Sequence, residues 1–183
     1  MLLVLAVLAA MTAILYPAVD RLYRTSRFTQ AMEQLRAKLS ATRVRAIDDG
    51  HAYQFRFEPE GRRMVVVAFG QRSVPLERDE RRFSRDQPSD ESWYYFAELP
   101  QGLQFQSAAA TGQRLSPQQL RALPEARELT AVRWSTPVLF FPDGSSHDAA
   151  IRVTDGSGRS ILLSVRGLTG AATTSRIQRE ARR

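Results

Sequence analysis

The sequence MLLVLAVLAAMTAILYPAV, residues 1–19, decides the fold, because it contains no charged side chain and the first charge follows at Asp20. As a helix it would be about 28 Å long, which is close to the hydrocarbon thickness of a bilayer. The stretch therefore predicts a membrane-spanning helix. A cleaved signal peptide is the alternative, but the stretch lacks a basic start, and cleavage near Ala10 or Ala13 would sever a helix whose pattern continues.

Beyond the apolar stretch, the pattern of an amphipathic helix continues as far as Asp49 and Gly50. Apolar or small residues recur there at intervals of three and four, which predicts a face buried against a sheet. These residues are Phe28, Met32, Leu35, Leu39, Thr42 and Ala46. Pro17 removes one helical hydrogen bond, so we expect a kink near the membrane surface. Gly50 suits the left-handed conformation that often ends a helix.

After Gly50 the sequence predicts short strands and turns. Alternating apolar residues indicate one hairpin formed by residues 52–57 and 63–69, and another formed by residues 150–154 and 160–166. The intervening sequences Glu-Pro-Glu-Gly and Asp-Gly-Ser-Gly are typical of turns.

Other segments have a weaker pattern. Further strands are expected at 93–99, continued by Leu103 and Phe105, at 131–141 with Pro137 at an edge or bulge, and at 171–174. Residues 71–92 are charged and predict a mobile loop. Residues 107–129 predict an insertion with a short helix that begins at Ser116 and Pro117.

Composition limits the classes of function. The chain has 183 residues, no cysteine and a net charge of +7. Without cysteine there is no disulfide, thiolate metal site or cysteine nucleophile. Residues 20–50 hold seven basic and four acidic side chains, and residues 176–183 hold four arginines and one glutamate. This positive surplus indicates nucleic acid or an anionic membrane as classes of partner.

The sequence contains no motif typical of an enzyme. His51 and His147 lie far apart and without a nucleophile motif, and no phosphate loop, zinc spacing or nucleophile elbow occurs. Asp143, Asp148 and Asp155 suit a cation, but aspartate at turns more often bonds to the backbone. The aromatic residues 93–96 are interpreted as core and edge-strand packing rather than as a partner or sugar site. We therefore expect no enzyme activity, no cofactor and no metal.

Three short motifs and the end of the predicted helix carry a resemblance to a known family. The motifs are FFPDGS at residues 140–145, DGSGR at 155–159 and LTG at 168–170. Residues 35–57, LRAKLSATRVRAIDDGHAYQFRF, resemble the same family's helix end and first strand. Together these features resemble the GspH/FimT family of minor pseudopilins, within the type IV pilin-like superfamily.

The resemblance implies an α+β, type IV pilin-like fold, in which a long membrane-spanning helix packs by its C-terminal half on an antiparallel β-sheet head. Residues 1–27 would be the transmembrane and filament-core helix, 28–175 the head, and 176–183 a disordered basic tail. The implied function is that of a structural subunit near the tip of the periplasmic pseudopilus of a type II secretion system. The implied location is the bacterial inner membrane, as a single-pass protein with its head in the periplasm. Implied partners are other pseudopilins of the filament and the secretion machinery.

Two sets of site residues follow from these interpretations. The first would contact the membrane and neighbouring filament helices, and consists of Leu2, Leu3, Leu5, Leu8, Ala9, Ala13 and Pro17. The second belongs to an alternative function, a minor pilin of a type IV pilus or DNA-uptake filament that binds DNA. Its candidate DNA contacts are Arg176, Arg179, Arg182 and Arg183. A salt-dependent DNA-binding assay would discriminate between the two functions.

The family pattern also includes a basic leader followed by Phe-Thr-Leu-x-Glu, whose Phe becomes N-methylated. The sequence begins at the position after that Glu. We therefore expect an in-frame upstream extension that encodes the leader and this motif. In the family pattern the Glu pairs with the free N-terminus of an adjacent subunit. A chain without it is expected to enter filaments poorly.

Overall fold

The longest element in the computed structural model is a single helix. The structure describes residues 2–70, 94–106, 114–115, 120, 123 and 126–179, with side chains from Thr25 onward. Helix α1, Leu2–Asp49, has 48 residues and continues through Pro17. Gly50 follows it with φ +64° and donates its N–H to the carbonyl of Ile47. The predicted end of the helix is therefore confirmed.

The predicted apolar face of α1 is buried, as expected. All six residues of the pattern are exposed by 1% or less: Phe28, Met32, Leu35, Leu39, Thr42 and Ala46. The one polar member, Thr42, donates its hydroxyl to the carbonyl of Lys38 at 2.8 Å, which satisfies it within the helix. Ala37 and Ala41 lie on the opposite face and are exposed. The helical periodicity thus identified the correct face.

The strands of the described residues form two antiparallel sheets, which confirms the α+β class. Sheet A has the strand order β3-β2-β1-β5. Its strands are β1 (Tyr53–Phe57), β2 (Arg63–Ala68), β3 (Tyr95–Glu98) and β5 (Val138–Phe140). Sheet B has the order β4-β6-β7-β8, with β9 also paired to β7. Its strands are β4 (Leu103–Gln106), β6 (Ala149–Asp155), β7 (Arg159–Val165), β8 (Ala172–Thr174) and β9 (Gln178–Arg179).

Both predicted hairpins are confirmed, but one strand lies elsewhere than expected. Strands β1 and β2 pair with Phe55 opposite Val66, and β6 and β7 pair with Val153 opposite Ile161. Leu103 and Phe105 do not continue β3. After the turn at Gly102, which has φ +86°, they form β4 and pair with β6 in sheet B. Chain reversal at this glycine carries the backbone from one sheet to the other.

The main core lies between α1 and the two sheets. Phe57 of sheet A stacks on Phe105 of sheet B with ring centroids 4.8 Å apart, which joins the sheets beneath the helix. The buried stripe of α1 packs in the same cluster, together with Phe140 and Leu163. One helix therefore shares a single hydrophobic core with both sheets.

A second core covers the other face of sheet A. It contains Val65 and Val67 of β2 and residues that follow position 113, namely Leu115, Leu120, Leu123, Leu129, Val132 and Trp134. Helix α2, Ala126–Ala131, lies in this segment. The indole N–H of Trp134 donates to the carbonyl of Leu129 at 3.1 Å. The insertion is thus a structural layer that buries sheet A on both faces.

The prediction of a strand over residues 131–141 is wrong except at its end. Ala131 closes α2 and Trp134 fills the second core, so only Val138–Phe140 forms β5. The alternating apolar residues Val132 and Trp134 resemble the pattern of a strand, but they are buried because they pack in the second core. As expected, Pro137 stands beside an edge strand, since it directly precedes β5.

The C-terminal tail departs from the predicted disorder. Strand β9 pairs Gln178 with Ser160 and Arg179 with Arg159. Ile177 packs against the main core and anchors the segment. Residues 180–183, the predicted loop at 71–92, Trp93, and the predicted helix start at Ser116 and Pro117 lie outside the described residues.

Candidate interaction surface

The predicted membrane and filament contacts lie in the N-terminal part of α1. Leu2, Leu3, Leu5, Leu8, Ala9, Ala13 and Pro17 all belong to its helical backbone, but their side chains lie outside the described ones. In the part of the chain that the structure describes, no helix is both long and apolar enough to cross a bilayer. The prediction of a membrane-spanning helix at residues 1–19 therefore stays a prediction.

The basic side chains of α1 hold the helix against the sheets. On one flank, Arg36 donates to the carbonyl of Ala172 at 3.0 Å, and Arg43 donates to the carbonyl of Gly144 at 2.9 Å. On the other flank, the ammonium of Lys38 lies 4.4 Å from the ring centroid of Tyr95. These cations interact with the chain's own backbone and aromatic groups, so much of the positive surplus on α1 has a structural role.

A charged group closes the C-terminal end of α1. Arg45 pairs with Asp49 at 2.7 Å, and the hydroxyl of Tyr53 donates to the same carboxylate oxygen. Burial raises the pKa of Tyr53 to about 12, and its hydrogen bond to Asp49 acts in the same direction. The protonated phenol therefore fastens the first strand to the end of the helix.

The hydrogen bond between Tyr53 and Asp49 leads us to expect a loss of stability at high pH. The phenol of Tyr53 has a folded pKa of about 12, above the unfolded value near 10, so its contribution is complete below about pH 10 and is lost as the pH rises through 12. We expect the unfolding free energy, measured with urea, to fall between pH 10 and 12. In Tyr53→Phe this fall should be smaller, whereas an identical fall would contradict the role of the phenol.

Arg43 organises two of the three C-terminal motifs around the end of α1. Gly144 has φ +81°, and a Cβ atom there would lie 3.2 Å from the Arg43 guanidinium. Gly170 has φ +59°, and a Cβ atom there would lie 2.7 Å from Arg43 Cδ and 2.8 Å from the carbonyl oxygen of Gly144. Both positions favour glycine by conformation, and at Gly170 the close backbone oxygen of Gly144 also leaves no space for a Cβ atom.

The loop of residues 166–170, hereafter the Leu168 loop, is fixed by hydrogen bonds. Ser146 donates its N–H to the carbonyl of Gly167 at 2.6 Å, and Gly170 donates its N–H to the carbonyl of Arg166 at 2.7 Å. The carboxylate of Asp148 accepts the N–H of Gly167 at 2.7 Å. Leu168 stands at the tip of this loop with 95% of its surface exposed. A well-ordered loop thus presents a large apolar side chain to solvent.

Leu168 was missed as a candidate site by the sequence reasoning. Periodicity identifies residues that are buried, whereas the exposure of Leu168 follows from its position in a turn between Gly167 and Gly170. Val44 and Ile47, which are also exposed, lie on α1 at the same end of the head. Ile47 is next to the turn at Gly144. The glycines on either side of Leu168 were the sequence feature that could have indicated an exposed leucine in a turn.

Asp143 and Asp148 both bond to nearby backbone. Asp143 accepts the N–H and the hydroxyl of Ser145 at 2.9 and 2.6 Å, and these bonds lower its pKa below the usual range. Asp148 fastens Gly167, as described above. Each carboxylate therefore supports a turn.

Asp155 supports the turn between β6 and β7. Burial acts to raise its pKa, but hydrogen bonds from Ser157 and Arg159 outweigh burial, and the pKa lies below the usual range. Arg159 in turn donates to the hydroxyl of Thr25 at 2.8 Å. The DGSGR motif thus joins its turn to α1, at the opposite end of the head from Arg43.

The two histidines also have local contacts. His51 lies with Nδ1 2.7 Å from the carbonyl oxygen of Asp49, and His147 contacts the ring of Phe141 edge-on. Over the described residues, no three His, Asp or Glu side chains come together in a group suited to a metal ion.

A groove runs between α1 and the C-terminal segment, and we call it the Ile177 groove. It has a volume of about 290 Å³. Its lining residues are Thr29, Met32, Glu33, Ile161, Thr174, Ser175, Arg176 and Ile177. Of the predicted tail contacts, Arg176 is exposed beside this groove and Arg179 is exposed in β9, while Arg182 and Arg183 lie outside the described residues.

Comparison with known proteins gives one solved structure of similar shape. It is the minor pseudopilin EpsH from the Type 2 Secretion System of Vibrio cholerae, which matches with a TM-score of 0.42 and 12% sequence identity. The match covers 84% of this chain and 97% of EpsH. No model of a known protein family matches the chain, and no curated protein is similar to it in sequence.

Proposed function

We propose that this chain is a structural subunit of a bacterial envelope filament, of the minor pseudopilin type, held in the inner membrane with its head in the periplasm. One observation carries the proposal: α1 runs without a break from the apolar sequence of residues 1–19 into the core of the head. The apolar segment that we propose lies in the membrane and the helix that packs in the head are thereby one element. In this proposal the subunit stands near the tip of the periplasmic pseudopilus of a type II secretion system.

The N-terminal helix would serve in storage and in assembly. In a bilayer, an α-helix satisfies its own backbone hydrogen bonds, and its apolar surface is solvated by lipid. Transfer into a filament exchanges lipid for neighbouring helices, so no apolar surface needs to enter water. Small residues such as Ala9 and Ala13 would let those helices approach closely.

The charges of the head also favour a structural role. The contacts of Arg36, Arg43 and Lys38 with the chain's own sheets leave less of the helix surplus for an outside anion. A nucleic-acid interface needs cations that face the phosphates. We therefore place DNA binding second and propose that the chain has no catalytic role.

The proposal predicts that the chain, expressed with the leader and the Phe-Thr-Leu-x-Glu motif of the family pattern placed before it, appears in sheared filaments. In cells that overproduce the host's other pilin-like subunits, the tagged chain should be detected in the filament fraction by immunoblotting. Leu8→Arg places a cation in the apolar segment at a cost of about 2.5–3.5 kcal/mol, so filament content should fall at least about tenfold.

The matched control is Gln104→Arg, which adds the same charge at an exposed position of β4. It should leave the filament content unchanged. The proposed function would be contradicted if the chain with the leader and the Glu remained wholly in the membrane fraction while filaments formed normally.

A further inference from the structure

The base of the head, which we define as the end formed by Thr25, the turn of residues 155–158 and β9, lies next to the apolar sequence of α1. Arg159 donates to the hydroxyl of Thr25 at 2.8 Å, and Arg179 stands opposite Arg159 in the register of β7 and β9. Thr25 comes six residues after Val19, so it lies about 9 Å along the helix axis from the end of the uncharged stretch. The helix thereby fixes the distance between the base and that stretch.

One edge of the base is rich in arginine, and we call it the basic edge. It consists of Arg27, Arg176 and Arg179, which are all exposed. Among the residues that the structure describes, neither Arg176 nor Arg179 forms an ion pair. The sequence on either side adds further positive charge, with two arginines before Arg27 and two after Arg179, namely Arg21, Arg24, Arg182 and Arg183.

The opposite edge of the base has no such surplus. There a cavity of about 480 Å³ lies beside Gly156, in the same turn of residues 155–158. Glu98 lies 3.5 Å from the guanidinium of Arg62 and 3.6 Å from that of Arg63. The charged residues that line the cavity are Glu58, Glu60, Arg62, Arg63 and Glu98, three acidic and two basic. The positive surplus of the base is therefore confined to the side of α1 and β9.

The basic edge lies within electrostatic reach of lipid headgroups when residues 1–19 occupy a bilayer. Headgroups extend about 5–8 Å beyond the hydrocarbon on each side, and charges interact over a Debye length of about 8 Å at physiological salt. Thr25 marks a level about 9 Å from the hydrocarbon, so the arginines near it lie within one Debye length of the lipid phosphates. A guanidinium suits a phosphate because it donates two parallel hydrogen bonds.

The position of the basic edge favours lipid over nucleic acid as its anion. Because α1 anchors the head, the headgroups are present at a high effective concentration beside these arginines. Duplex DNA would have to enter the space between the head and the membrane, where anionic headgroups repel it. A bilayer surface therefore fits the place of the charge as well as its sign.

We infer that the basic edge binds the anionic headgroups of the membrane in which α1 is anchored. The inference rests on the proposed function, because it requires residues 1–19 to lie in the bilayer. Since the opposite edge has no positive surplus, the head leans toward the membrane on the side of α1 and β9 while the subunit is stored. Each arginine close to an anionic surface favours this contact about fivefold.

Fluorescence quenching in vesicles tests the contact in the full chain, which contains no cysteine of its own. Gln178→Cys and Gln104→Cys are labelled with the same fluorophore. Both glutamines are exposed, and they lie in one cross-strand row of sheet B, joined through Ser160 and Thr154. They are therefore at the same level of the head but about 14 Å apart, on its two sides.

The labelled chains are inserted into vesicles of phosphatidylcholine with or without phosphatidylglycerol, and a nitroxide on a choline headgroup serves as the quencher. With phosphatidylglycerol we expect quenching at position 178 and at least about fivefold less at position 104. Quenching at position 178 should fall several-fold without phosphatidylglycerol. It should fall similarly in about 1 M salt, where the Debye length is only about 3 Å.

Charge variants of the Gln178→Cys chain provide a second measurement. Arg179→Glu should lower the quenching at least about fivefold, whereas Arg179→Lys, which keeps the charge, should retain most of it. The matched control is Arg166→Glu, which makes the same charge change at an exposed position in the Leu168 loop, at the other end of the head. It should leave the quenching unchanged.

Three results would overturn the inference. These are equal quenching at positions 178 and 104, equal quenching with and without phosphatidylglycerol, and an unquenched position 178 in a chain that binds duplex DNA in a salt-dependent manner. The last result would assign the basic edge to nucleic acid.

Membrane insertion and filament incorporation separate this inference from the proposed function. If carbonate extracts the chain from the vesicles, both proposals are wrong. If the chain resists extraction and enters filaments but position 178 is not quenched, only the lipid contact is wrong. If position 178 is quenched as expected but the chain with its leader never enters filaments, the lipid contact stands and the filament function is wrong.

Discussion

Leu35→Asp is expected to unfold the head, with a loss of more than about 4 kcal/mol in the free energy of unfolding. Leu35 is 1% exposed at the centre of the buried stripe of α1. The substitution removes apolar contacts worth about 2–5 kcal/mol and also buries a carboxylate without a partner. Since the stripe belongs to the core that both sheets share, we expect one cooperative loss of structure.

The matched control for this substitution is Ala37→Asp, two residues further along and on the exposed face of the same helix. Its cost should stay within about 0.5 kcal/mol, because its carboxylate remains in water. Urea unfolding of the full chain in detergent, followed by tryptophan fluorescence, measures both variants. A normal transition for Leu35→Asp would show that the stripe does not form the core.

The second large effect is expected from Gly170→Ala, at a cost of about 2–5 kcal/mol. Alanine at φ +59° costs about 1–2 kcal/mol in backbone conformation. The new Cβ would also lie 2.8 Å from the carbonyl oxygen of Gly144, which as backbone cannot move aside alone. The Leu168 loop would therefore move away from the turn at Gly144, to which Arg43 is hydrogen-bonded.

Gly158→Ala isolates the steric part of this cost. Gly158 has φ +79°, but no atom lies within 4 Å of where its Cβ would stand. It should lose only the conformational part, about 1–2 kcal/mol. Equal losses for the two variants, measured by urea unfolding, would contradict the proposed close packing of Gly170 against the other turn.

Features governed by local chemistry could be predicted from the sequence. The helical interval identified the buried face from Phe28 to Ala46, and turn residues such as those at 155–158 identified both hairpins. In each case the information lies within a few neighbouring residues. Gly50 was likewise recognisable as a helix end, because few other residues adopt its conformation at low cost.

Features that depend on distant partners could not be predicted. Gln54 and Arg56 alternate with aromatic residues in β1 and look like its solvent face, yet both are buried. The second core, formed by residues that follow position 113, covers this face of β1. Within it, the guanidinium of Arg56 donates to the amide oxygen of Gln54 at 2.9 Å. Burial lowers the pKa of Arg56. The local sequence of β1 does not indicate that residues more than 50 positions later will cover it.

The candidate site shows the same division. The motifs at 140–145 and 168–170 were recognised as a resemblance, but their joint packing on Arg43 depends on a contact with a residue about 100 positions earlier. The tail was recognised as basic, whereas its pairing with β7 depends on Ile177 and the core that it meets. Sequence therefore identified the pieces of the surface, and the fold determined which of them meet.

The pairing of β9 brings the end of the head back to its beginning. Arg179 stands opposite Arg159, and Arg159 reaches Thr25 at 2.8 Å. A short linker from residue 179 to residue 25 could therefore close the head into a ring, and the chain could be reopened at the exposed turn around Gly102, since permutation succeeds where termini are close. Such a circular permutant would keep both sheets and the helix while separating the head from residues 2–24.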